Sequence, residues 1–240
     1  MKSQIPTIFA IFILIATLIA ILVVKNQIQT LTSSASSTFA PRNLRITNIK
    51  DTSFAVSWIT DTPTISFVEY TTAQGQTTGT ETSNLSQTHF VQIQNLNPNS
   101  SYSFRINSGG QFFDNNGEKW LTQTQNSQGS ELGKIASGQV VTSNNLPAKN
   151  ALVYIDIPGN ITFASQVTTS GNWLIALPRL ADSTILQITV ETANQTSKAL
   201  VELSAANPVP TITLGASYDF TKDNTIENSS DIPSVQITLP

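Results

Sequence analysis

The chain has 240 residues, a net charge of −3, a pI near 5.1 and only 11% charged residues, so it lacks the basic footprint of a nucleic-acid binder. It holds no cysteine and a single histidine, His89. That removes disulfides, thiolate zinc sites, cysteine nucleophiles and histidine metal clusters together. No catalytic residue, no metal ligand and no cofactor is therefore expected, and the chain reads as a non-enzyme.

Residues 5–24, IPTIFAIFILIATLIAILVV, carry no charge, and fourteen of the twenty are Ile, Leu, Phe or Val. As a helix this run is about 30 Å long, the thickness of a bilayer's hydrocarbon core. Residues 1–25 are read as a single transmembrane anchor. A cleaved signal peptide is the alternative, but the run is longer than an ordinary signal core and is followed at once by Lys25. Lys2 stands on one side of the span, with Lys25, Arg42 and Arg45 on the other, which mildly opposes an outward C-terminal part. The Ser, Thr, Asn and Gln richness of the remainder suits an extracytoplasmic domain. The expected topology is N-terminus cytoplasmic and domains outside. Residues 26–40, NQIQTLTSSASSTFA, have no periodicity and read as a flexible stalk spanning on the order of 20 Å.

From Pro41 the pattern changes to short alternating runs between turn residues, which predicts antiparallel strands. Leu44, Ile46 and Ile49 mark the first; Phe54, Val56 and Trp58 share one face of the second. Ile65 and Phe67 alternate with Val68 and Tyr70 in the third. Phe90, Val91 and Ile93 follow, then Phe104 and Ile106 after Tyr102, and a last strand from Trp120 to about Gln125. The strand Trp58 with the later Leu96-x-Pro98-x-x-x-Tyr102 resembles a fibronectin type III domain. Trp58-x-Thr60-Asp61-x-Pro63, Val68-Glu69-Tyr70 and Thr88-His89 resemble the variant that precedes purple acid phosphatases. The resemblance covers 41–125. It implies a core role for Trp58 and a corner hydrogen bond for Tyr102. The phosphatase module itself would need Asp, Asn and His clusters that nothing downstream supplies.

Residues 126–131 read as a polar linker. A second β-domain is expected over 132–206, from Gly138-Gln139-Val140-Val141, Ala151-Leu152-Val153 and Trp173-Leu174-Ile175-Ala176-Leu177. Gly171-Asn172 suits a tight hairpin turn, with Trp173, Ile175 and Leu177 facing a core. Ile185, Ile188, Val190, Leu200, Val201 and Leu203 supply further strands. This pattern resembles the carboxypeptidase regulatory-like, or transthyretin-like, sandwich. Residues 207–240 read as an extended edge strand or extension, strand-like at Thr211–Leu214, then disordered from about Thr221. The fold class expected is thus all-β: one transmembrane helix followed by two tandem antiparallel, Ig-like sandwiches.

His89 lacks any neighbouring nucleophile motif and is expected to be structural. Asp114–Glu118 looks briefly like a calcium loop but lacks the frame of one, and Asn116-Gly117 suits a hairpin turn. The same region brings Phe112 and Phe113 together, and adjacent aromatics on a loop are plausible ligand anchors. The alternative for either ring is closure of the open end of the core. The expected partners are the membrane, through the N-terminal helix, and an unidentified protein or glycan. The expected role is binding or adhesion at the cell surface. A non-catalytic accessory chain of a surface hydrolase and a structural spacer are the alternatives.

Overall fold

A computed structural model describes residues 38–72, 75, 77–81, 85–127, 133–159 and 161–222. The apolar run 5–24, most of the stalk, residues 128–131 of the linker and the chain beyond 222 lie outside these residues. Among the described residues no helix is long and apolar enough to cross a membrane.

The first sandwich is built from eight strands: β1 (Arg42–Thr47), β2 (Phe54–Thr64), β3 (Ser66–Thr71), β4 (Thr77–Glu81), β5 (Ser86–Ile93), β6 (Ser101–Ser108), β7 (Gln111–Phe113) and β8 (Trp120–Gln123). One sheet has the order β1-β2-β5; the other runs β4-β3-β6-β7, with β8 also pairing β6. Alternation directs Phe54, Val56, Trp58, Val91, Ile93, Tyr102, Phe104 and Ile106 inward, and these residues form one core cluster. The rings pack obliquely, with Phe54 6.3 Å from Tyr102 and 6.0 Å from Phe104, and Trp120 stacked 5.6 Å from Phe104. Each such side chain, removed from water, contributes roughly 1.5–3 kcal/mol. The Tyr102 hydroxyl accepts the Asn97 N–H at 2.8 Å, the corner bond that ties the strand entry to the preceding loop. Asn116 and Gly117 both have positive φ, 56° and 94°, and the Asn115–Glu118 bridge closes the turn between them.

The second sandwich contains β9 (Lys134–Val141), β10 (Leu152–Ile157), β11 (Ile161–Gln166), β12 (Asn172–Leu177), β13 (Ile185–Glu191), β14 (Thr196–Glu202), β15 (Val209–Thr213) and β16 (Ser217–Asp219). Its sheets are β11-β10-β13-β14-β16 and β12-β9-β15. Trp173, Ile175 and Leu177 are buried in its core, with Val153, Ile155, Ile188 and Val201 opposite.

The chain is all-β over the described residues apart from one short 3₁₀ turn, Leu203–Ala205. Two features depart from the sequence reading. The sheets are not purely antiparallel: β15 runs parallel to β9, and β16 parallel to β14. The chain leaves β14 through the 3₁₀ turn and crosses to the other sheet rather than folding back as a hairpin. The segment from Asn207 forms β15 at the edge of this sheet, with Val209, Ile212 and Leu214 buried in the second core. Finally, Gly171 (φ 86°) does not sit in a hairpin. It makes a corner that carries the chain from β11 in one sheet to β12 in the other, bracketed by the bond from the Gly171 N–H to the Thr168 carbonyl.

The two sandwiches meet through sheet faces. The side of β2 turned away from its own core presents Ala55, Ser57 and Ile59, and the facing side of β10 presents Leu152 and Tyr154. Ile59, Leu152, Tyr154 and Ala164 form a third apolar cluster, flanked by Phe90 and Ala193. Polar groups fix its registration. The Asn48 side chain donates to the Ala164 carbonyl at 2.9 Å and accepts the Ala164 N–H at 2.8 Å, pairing with β11 as a strand residue would. The Thr88 hydroxyl donates to the Asn150 carbonyl at 2.7 Å. Arg45 pairs with the buried Glu191 carboxylate while its guanidinium lies 4.1 Å over the Tyr154 ring. Tyr154 and Ser57 share a hydrogen bond of 3.0 Å, and burial pushes the Tyr154 phenol up to about 12.

Candidate binding surface

The docking of β2 against β10 consumes one outer face of the first sandwich, so among the described residues the face of its other sheet is the one left uncovered. Register places its outward residues. In β3 these are Phe67, Glu69 and Thr71; in β6, Ser103, Arg105 and Asn107; Phe112 of β7 lies opposite Asn107, and Leu121 of β8 opposite Ser103. Leu121 is 73% exposed and Phe112 46%. Such exposure of large apolar groups on hydrogen-bonded strands is the usual material of a contact surface.

The polar groups among them are held in place. Arg105 Nε donates to Glu69 Oε1 at 2.7 Å, and the guanidinium carbon lies 3.8 Å from the Phe112 ring centre. Phe67 meets Phe112 edge-on, with centroids 6.0 Å apart. Lys119 donates to the Thr71 hydroxyl at 2.8 Å. Arg105 is thus held by a carboxylate on one side and an aromatic face on the other, which fixes a long side chain that solvent would otherwise leave free. A ligand landing here meets an ordered apolar and cationic surface and orders little more of it.

The two phenylalanines nominated from sequence part company. Phe112 stands on this outer face. Phe113 lies opposite the buried Ile106 and therefore points to the core side, where it is half-buried at the sandwich's edge. Adjacent strand residues cannot both face a ligand, since successive side chains alternate. Phe67, Arg105 and Leu121 were not nominated. The Phe67/Glu69 alternation opposite Val68/Tyr70 carries part of that signal, but only the core assignment of Val68 says which face is outward.

His89 is wholly buried, stacked 5.0 Å from Trp58. The Thr60 hydroxyl donates to the Thr62 carbonyl at 2.8 Å, so its oxygen accepts from His89 Nε2–H at 3.1 Å. His89 Nδ1 then has no partner among the described residues, and burial lowers the imidazole's pKa to about 4. The ring is neutral and structural. The Asp114 carboxylate accepts the Gly117 N–H at 2.8 Å within the Asn-Gly turn. Among the described residues no group of three or more His, Cys, Asp or Glu side chains converges as a metal site would require.

Residues 41–127 match the family model described as the purple acid phosphatase N-terminal domain. No curated protein matches the chain. Among solved structures the chain is similar to the FN5 domain of Drosophila Lar, at 14% identity over 36% of this chain and 96% of that one, with a TM-score of 0.29. It is also similar to a two fibronectin type III domain segment of chicken tenascin, at 11% identity, 68% and 98% coverage and a TM-score of 0.27. Similarity to the FN1–FN3 domains of chicken CNTN1 is 14% identity, 75% and 67% coverage, with a TM-score of 0.25. With the buried Trp58 and the Tyr102 corner in place, residues 41–127 form a fibronectin type III-like sandwich, similar to the purple acid phosphatase N-terminal domain.

Proposed function

We propose that this chain is a membrane-anchored, extracytoplasmic protein that serves as a non-catalytic binding or adhesion module at the cell surface. The outer face of β3, β6, β7 and β8 is its contact surface. The observation that carries this reading is the ordered strip of Phe67, Arg105, Phe112 and Leu121 on the one broad face of the first sandwich that the second sandwich does not cover. Fibronectin type III-like sandwiches typically serve binding, which supports the class. The apolar run 5–24 supplies the anchor and the polar, cysteine-free remainder suits an exterior location.

Two experiments test the reading. Protease treatment of intact cells carrying a C-terminally tagged chain should remove the tag and leave a membrane-embedded fragment. Protection until lysis would refute the exterior topology. Binding of the purified full chain to intact cells should be lost in Phe112→Ser/Leu121→Ser while the thermal midpoint stays within a degree or two of the parent, as for exposed substitutions. Retention of cell binding by that variant would refute the face as the contact surface.

A second reading rests on the family match. In it the chain is a non-catalytic accessory of a surface hydrolase that acts in trans, and the same face receives the enzyme. Co-purification of a hydrolase activity lost in the Phe112/Leu121 variant would favour it. The likeness of the second sandwich to carboxypeptidase regulatory-like domains rests on its sequence pattern alone.

A further inference from the structure

The second sandwich carries a groove of about 810 Å³ across β9, β12 and β15, bordered by the end of β11. That is within the usual range for small-ligand sites. Its lining contains no ionisable side chain. Hydroxyl and carboxamide residues make up seven of its thirteen lining residues, while Leu174, Pro208, Val209 and Pro210 give it a larger apolar surface. We infer that this groove binds a neutral oligosaccharide, a site separate from the face of the first sandwich.

The chemistry of the lining favours that ligand class. Gln139, Gln166 and Thr211 line the groove and have no side-chain hydrogen bond to any described residue. A carboxamide offers an acceptor and two donors in one plane, and a sugar hydroxyl is itself both donor and acceptor. Free carboxamides facing one groove therefore suit neighbouring hydroxyls of a sugar ring. Other polar groups of the lining are already engaged: the Ser137 hydroxyl donates to Asn207 Oδ1 at 2.6 Å, and the Thr168 hydroxyl is shared with Ser170 at 3.0 Å. They shape the rim and leave the amides to the ligand.

Leu174 is 58% exposed although it lies in a strand whose alternate residues are buried. With Pro210 it offers an apolar surface for the C–H face of a pyranose ring. A phosphate, sulfate or uronate would meet no counter-charge and would lose hydration without compensation. A protein partner would more usually meet exposed Tyr, Trp or Arg anchors, whereas Trp173, the one aromatic of the lining, is 3% exposed. The walls are hydrogen-bonded strands, so little ordering accompanies occupancy.

The test is native affinity electrophoresis of the full chain in mild detergent. Gels contain neutral xylan, mannan or mixed-linkage glucan, with polygalacturonate as the charged comparison. At least one neutral polysaccharide should retard the chain, and polygalacturonate should not. Gln139→Ala/Gln166→Ala should weaken retardation by roughly tenfold or more, the scale of losing one or two such hydrogen bonds, with its thermal midpoint unchanged. Leu174→Ser should weaken it independently. Phe112→Ser/Leu121→Ser should leave it intact, which separates this site from the surface proposed above. Absence of retardation by all three neutral polymers overturns the inference. So does retardation that the amide variant does not reduce, or that polygalacturonate reproduces, or that a neutral Ser/Thr-rich peptide competes away more effectively than free sugar.

Discussion

Acidification should weaken the first sandwich through His89. In the unfolded chain an imidazole titrates near 6.5, whereas burial lowers it to about 4 in the fold. Between these values the unfolded chain holds a proton that the folded chain does not, so stability falls as pH falls. The effect begins below pH 6.5 and is complete below about 4. At about 1.4 kcal/mol per pH unit, the window amounts to roughly 3 kcal/mol, a sizeable share of a small domain's stability. The geometry agrees with the sign: a proton arriving on Nδ1 creates an N–H with no acceptor among the described residues, against the face of Trp58. Guanidinium unfolding of the full chain in mild detergent, followed by tryptophan fluorescence from pH 7.5 to 4, reads the loss directly. Carboxylates also titrate at the acid end, so the decisive quantity is the difference from His89→Phe, which keeps an aromatic on Trp58 and has no proton to gain. The parent should lose roughly 3 kcal/mol more than the variant over this range. Parallel losses in the two proteins would refute the argument, since some other group would then carry the pH dependence.

Other substitutions read the junction and the corner. Arg45→Ala leaves the Glu191 carboxylate buried without its cation and should cost about 3 kcal/mol by guanidinium unfolding; Arg45→Met/Glu191→Leu should recover most of it. Asn48→Ala removes both bonds to the Ala164 backbone and should cost about 2 kcal/mol, with faster hydrogen exchange at the Ala164 amide. Tyr102→Phe loses the corner bond to the Asn97 N–H and should cost about 1 kcal/mol, leaving the fold intact by circular dichroism. Phe113→Ser should lower the thermal midpoint by several degrees, where Phe112→Ser should not, because the two rings lie on opposite sides of one strand.

The periodicity of single strands was readable wherever one face of a strand is wet. Trp173, Ile175 and Leu177 against Asn172, Leu174 and Ala176 point unambiguously to one core. The junction was not readable in that way, because alternation is lost when both faces are dry. Leu152-Val153-Tyr154-Ile155 is a continuous apolar run, and each of its residues is fully buried. Small outward residues on β2, which look like a solvated face, are small because another sheet lies against them. The pairing of Asn48 with β11 spans 116 residues and leaves no local trace. β15 was legible in part: Thr211–Leu214 reads as strand-like, but Val209 sits between Pro208 and Pro210, and nothing local announces the parallel pairing with β9 that completes the second core. On the outer face of the first sandwich, the adjacency of Phe112 and Phe113 suggested an aromatic pair; strand geometry allows only one of them outward.

The side-by-side junction has a mechanical meaning for a chain held at its N-terminal end. β1 with the residue that follows it carries Arg45 and Asn48, the two side chains that grip Glu191 and the Ala164 backbone. Load on the first strand therefore reaches the neighbouring sandwich through these two side chains as well as the Trp58 core, against which Leu44 and Ile46 of the same strand pack. In β1 the pulled strand also sits at an edge of its sheet, antiparallel to β2. A pull at that end therefore loads the backbone pairing of Thr38 with Asp61 and Thr62 and the junction itself, polar grips and buried apolar cluster alike.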